Sequence, residues 1–115
     1  MDNHLAAIDH FIESGNIDAL ASFVKTGQTQ WLTKNVDERF AVRMFTPHQI
    51  DSLTRGKGFE VISRIGKTII PARRNRKLLE GDGAVETLVE LETLLQRDPS
   101  TASRASHIQV AARRL

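Results

Sequence analysis

The stretch Phe59-Glu60-Val61-Ile62-Ser63-Arg64-Ile65-Gly66-Lys67-Thr68-Ile69-Ile70-Pro71 decides the fold of this chain. Phe59, Val61, Ile62 and Ile65 could line one face of a helix. The β-branched residues Val61, Ile62, Ile65, Thr68, Ile69 and Ile70 equally permit a short hairpin turning at Gly66-Lys67. Pro71 ends either element, because it offers no N–H to continue a ladder or a helix. The flanking sequence reads as helix on both sides, so this segment is where a mixed architecture would begin.

Immediately upstream, four cues agree on a helix starting at Pro47. Thr46 can cap it through its hydroxyl, and Pro47 suits the first helical position. Gln49 completes a capping box with Thr46, and Phe45 and Ile50 stand where a hydrophobic staple places them. The helix should end near Arg55-Gly56-Lys57-Gly58. Before it, Leu32, Val36, Phe40 and Met44 form an i, i+4 stripe with Trp31 beside it, which predicts a helix from about Thr29 to Met44. At the N-terminus, Leu5, Ile8, Phe11 and Ile12 precede Gly15, and Ile17, Leu20, Phe23 and Val24 precede Gly27. The two stretches align twelve residues apart and predict two short helices, each closed by a glycine, packed as a hairpin.

Downstream, Arg73 to Leu79 reads as a basic helical turn and Glu80-Gly81-Asp82-Gly83 as a loop. Ala84 to Arg97 is a helix with an apolar face (Val85, Leu88, Val89, Leu91, Leu94, Leu95) and an acidic one (Glu86, Glu90, Glu92), stopped by Asp98-Pro99-Ser100. Thr101 to Leu115 reads either as a last helix over Ile108, Val110 and Ala111 or as a mobile tail. The expected fold is therefore mainly α: a single helical domain over 1–98 of five or six short helices, a short β-hairpin within 59–71 as the one exception, and a basic C-terminal tail or final helix over 99–115.

The 115 residues fit one domain with a modest core, and 40% hydrophobic with 26% charged content is ordinary for a globular chain. No apolar run approaches the roughly 20 residues of a membrane span, so no membrane partner is expected. The polar start and the absence of cysteine point to a cytoplasmic site. With no tyrosine and one tryptophan, a platform that stacks single-stranded bases has little to work with. The four histidines (His4, His10, His48, His107) form no i, i+3 or i, i+4 pair, so no metal or cofactor is expected. Glu86, Glu90 and Glu92 read as a solvated helix face, and no catalytic constellation emerges. Gly66-Lys67-Thr68 lacks the upstream glycine of a phosphate-binding loop, since Val61 stands in its place.

Charge is sharply segregated. Residues 41–77 carry +7, residues 1–40 carry −3, residues 78–98 carry −5 and residues 99–115 carry +3, for a net +2. The densest run is Arg73-Arg74-Asn75-Arg76-Lys77, with Lys57, Arg64 and Lys67 nearby in sequence. Such a cluster can neutralise phosphates and release their counterions. It can also be a solvated surface, or be paired internally with the acidic helix 84–97 that begins seven residues later.

The segment Gln49 to Ile65 resembles a helix-turn-helix. Gln49 takes the backbone-contacting position, Ser52 the small one, Gly56 the turn, and Ile62 and Ile65 the apolar positions of a recognition helix. The resemblance implies DNA binding; base reading, if any, is expected from residues between Lys57 and Arg64 under the nucleic-acid-binding reading. Asp51, Arg55 and Lys57 depart from it by standing where the family buries apolar residues, and Gly58 loosens the second helix. These departures favour two unrelated elements joined by a glycine turn. Gly15 to Gly27 resembles the second helix of an ankyrin repeat, although no Thr-Pro-Leu-His precedes it and no further repeat comes after it.

The sequence thus points to a small nucleic-acid-binding regulatory or accessory protein, not an enzyme. Phosphate contacts are expected from Lys57, Arg64, Lys67, Arg73, Arg74, Arg76 and Lys77. The alternative is a non-catalytic helical adaptor or inhibitor whose partner is an acidic protein or a second copy, the latter docking through helix 84–97.

Overall fold

A computed structural model describes residues 1–30 and 35–115. It overturns the mainly helical expectation. Among the described residues, four α-helices accompany two small antiparallel two-stranded sheets and several 3-10 turns.

The N-terminal reading holds. Helix α1 (His4–Ser14) and helix α2 (Ile17–Thr26) each end at a left-handed glycine, Gly15 at φ +69° and Gly27 at φ +66°. The aligned phenylalanines meet: Phe11 stacks on Phe23 with centroids 4.3 Å apart. Phe23 is 1% exposed, and the ring of His4 lies edge-on to it at 4.5 Å.

The helix expected over 29–44 is replaced by a short ladder. Strand β1 (Gln28–Gln30) pairs with strand β2 (Ala41–Arg43), placing Thr29 opposite Val42, and a 3-10 turn occupies Val36–Glu38. Trp31 and Leu32 of the expected stripe lie outside the described residues. Gly27 supplies the reason for the change. Its αL conformation turns the chain out of α2, and its carbonyl accepts Met44 N–H at 2.8 Å, which starts the antiparallel ladder. An i, i+4 stripe cannot compete with a chain direction already fixed at both ends.

Helix α3 (Pro47–Gly56) begins where the cues predict, with the Thr46 cap, Pro47 in the first turn and the capping box to Gln49 all formed. Gln49 N–H donates to Thr46 Oγ1 and Thr46 N–H to Gln49 Oε1. No recognition helix comes after it. Strand β3 (Phe59–Lys67) runs through the ambiguous segment without turning at Gly66-Lys67, so both the hairpin and the helix-turn-helix are corrected. Its partner is strand β4 (His107–Arg114), drawn from the stretch expected to be a tail or last helix. Ile108, Val110 and Ala112 alternate with His107, Gln109 and Arg113, which is the period of a strand and not of a helix. The register pairs Val61 with Ala112, Arg64 with Val110 and Gly66 with Ile108, with a bulge between Val61 and Ser63. Cross-strand partners share a face. That face carries Ile108, which is buried together with Ile50 of α3.

Residues 1–3 stitch the two halves together. Met1 and Ile108 exchange backbone hydrogen bonds, and Asn3 bridges to Phe45. The Asn3 amide, 1% exposed, reaches the carbonyls of Ala102, Ser103 and Ala105 at 2.7–3.0 Å. Gly66 closes the packing on the other side, since a Cβ there would stand 2.5 Å from Ala105 Cβ.

Helix α4 (Ala84–Gln96) forms as expected. Asp98 caps the 3-10 turn Pro99–Ser103, and the Ser100 hydroxyl, followed by its N–H, holds the Asp98 carboxyl below the usual carboxylate range. Among the described residues, no helix is long and apolar enough to cross a membrane.

Candidate polyanion-binding surface

The basic run occupies two consecutive 3-10 turns, Ala72–Arg74 and Arg76–Leu79. Strand β3 has already ended at Lys67, where Thr68 takes a left-handed φ of +60°, and Asn75 separates the two turns. The Asn75 side chain accepts Lys77 N–H at 3.2 Å and so starts the second turn. Arg73, Arg74, Arg76 and Lys77 are all exposed.

Three ion pairs exist among the described residues: Arg64–Asp51, His107–Asp2 and Arg113–Glu60. None involves the basic run. The acidic helix that the sequence offered as an internal partner packs against the second basic turn but forms no ion pair with it among the described residues. Glu92 accepts the backbone N–H groups of Ile69 and Ile70 at 2.6 and 3.0 Å, and Gln96 donates to the Gly66 carbonyl at 3.0 Å. These polar bonds dock α4 on the end of β3. Glu86 and Glu90 remain exposed and unpaired among the described residues.

The two halves of the run face different neighbours. Arg73 and Arg74 line a concavity of ≈ 620 Å³ along α1, shared with His10, His107, Asp2 and Glu13. Arg74 also shares a smaller hollow of ≈ 160 Å³ with Arg104 and Asp9. Neither Asp9 nor Glu13 forms an ion pair with these arginines. Arg76 and Lys77 sit on the turn that packs against α4.

The remaining sequence-derived residues do not all converge here. Arg64 lies on the α3-facing side of β3, is half-buried, and bonds the Asp51 carboxylate and the Pro47 carbonyl. Asp51 is thereby explained: an acid where a helix-turn-helix would bury an apolar side chain, matched by an arginine from the adjoining strand. Lys67 is exposed at the end of β3, the end from which the chain enters the basic turns. Lys57 precedes the other end of β3, and eight steps at about 3.3 Å put it roughly 26 Å or more away. Sequence reasoning misses Arg104 because it assigns this residue to a separate tail. The strand alternation after it is the available signal that this tail folds back.

Among the described residues, no group of three or more histidine, aspartate or glutamate side chains is placed to hold a metal ion. No protein-family profile matches the chain, and no curated protein matches it in sequence.

Proposed function

We propose that this chain is a small, non-catalytic, cytoplasmic protein that binds nucleic acid through the phosphate backbone. Arg73 and Arg74 form the centre of the site, with Arg104 beside Arg74. The observation that carries the reading is the solvent-facing run 73–77, unpaired among the described residues while the acidic helix spends Glu92 on backbone N–H groups. Exposed guanidinium groups with no ion-paired carboxylate are free to exchange phosphate counterions, and the gain is largest at low salt.

Recognition of this kind is sequence-independent, because phosphate contacts position a duplex without reading its bases. Arg64 is not part of the site, being held by Asp51. Base reading between Lys57 and Arg64 would have to come from a turn and a paired strand, since no recognition helix forms there. Fluorescence-anisotropy titration against mixed-sequence duplex DNA and RNA at two salt concentrations tests the reading. Binding that weakens steeply with salt is expected, and no binding at low salt overturns it.

A further inference from the structure

Helix α4 is the longest helix of the described chain, yet none of its residues is buried. Ala84, Leu88, Glu92, Leu95 and Gln96 are half-buried against the molecule. Val85 and Val89 are 52% and 61% exposed, and Leu94 58%. A groove of ≈ 460 Å³ separates Val85 and Val89 from Leu79 and Ile70, and Leu78 beside it is exposed too. A helix apolar around so much of its circumference needs cover on more than one side.

The whole chain is open to the same degree. It exposes 8484 Å², whereas a monomeric protein of its 12.9 kDa exposes about 6,300 Å². Its radius of gyration is 16.3 Å against about 13 Å for a self-contained domain of this length. The excess is roughly 2,200 Å², and a specific interface takes about 800 Å² from each partner.

We propose that a second copy of this chain covers the groove in a two-fold homodimer. The elements on the two sides of the groove carry opposite charge at residues outside its lining, which itself holds Lys67 and Glu92. On one side the turn Arg76–Leu79 presents Arg76 and Lys77. On the other, one step around α4 beyond Val85 and Val89, stand Glu86 and Glu90. None of the four forms an ion pair within its own chain among the described residues. A two-fold axis over the groove lays each copy's basic turn on the other's acidic ridge. It also packs Val85 and Val89 of one copy against Leu78 and Leu79 of the second. An isologous contact needs this self-complementarity, and a second copy supplies both charges in the matching order. Arg73 and Arg74, on the α1 side, stay open, so the dimer offers two phosphate-binding surfaces.

The test is sedimentation equilibrium from micromolar to millimolar concentration, with three sets of variants. The wild-type chain should weigh twice 12.9 kDa, and Val89→Asp should be monomeric with unchanged far-UV circular dichroism. Lys77→Glu or Glu90→Lys alone should raise the dimer dissociation constant several-fold, and the double reversal should restore it. A wild-type monomer throughout, a dimer that survives Val89→Asp, or a double reversal no tighter than the singles each overturns the proposal. Should Val89→Asp unfold the chain, the charge reversals still decide, since both side chains are exposed. Nucleic-acid affinity is read separately, so either conclusion can fail without the other.

Discussion

The carboxylate of Glu92 accepts the N–H of Ile69 at 2.6 Å, and its second oxygen that of Ile70 at 3.0 Å. One acidic residue of α4 thus holds the chain just after β3 in place of any side-chain cation. That carboxylate is therefore not spent on the basic turns. Glu92→Ala strands two backbone donors beside the 1% exposed Ile69. It should lower the unfolding free energy by about 2 kcal/mol, read by urea denaturation at unchanged m-value.

Arg64 and Arg73 carry the same charge and should behave oppositely. Arg64→Ala leaves the half-buried Asp51 carboxylate unpaired between α3 and β3. The expected loss is about 1–2 kcal/mol of stability with nucleic-acid affinity retained wherever the variant is folded. Chemical denaturation and anisotropy on the same sample separate the two effects. Weakened binding in a fully folded Arg64→Ala protein would place this arginine on phosphate after all.

Gly66 sits where β3 passes Ala102 and Ala105. A Cβ there meets Ala105 Cβ at 2.5 Å and Ala102 Cα at 3.1 Å, with backbone and small buried neighbours that have no flexible end to swing aside. Gly66→Ala should therefore destabilise by about 1–3 kcal/mol, whereas Gly56→Ala, with open space around its Cβ position, should not. Comparing their thermal midpoints checks the packing of the 99–106 segment against β3.

Local chemistry was legible and long-range pairing was not. The Thr46–Gln49 capping box, the closing glycines at 15 and 27 and the helix at 84–96 each depend on residues within one or two turns, and each forms. The strand 59–67 depends on a partner more than forty residues later, so its own composition left helix and hairpin equally open. The alternation of Ile108, Val110 and Ala112 was visible, yet among alanines and arginines Ile108, Val110 and Ala111 read equally as a last helix or a tail. The same distance hid the site's neighbours. The basic run stood out in sequence, whereas Arg104 beside Arg74, the Arg64–Asp51 pair and the three carbonyl bonds of Asn3 all arise from the C-terminal segment folding back or from strand-to-helix packing. Asn3 carried no sequence signal beyond its place in a polar start.

The most direct measurement of the central claim is the salt dependence of duplex binding for the wild-type chain and for Arg73→Ala/Arg74→Ala. Loss of two phosphate contacts should flatten the slope of log affinity against log salt by about 2 and weaken low-salt binding by about tenfold or more, with the unfolding transition unchanged because both side chains are exposed. An unchanged slope and affinity in the folded double variant would contradict the account and remove the basic turns from nucleic-acid binding.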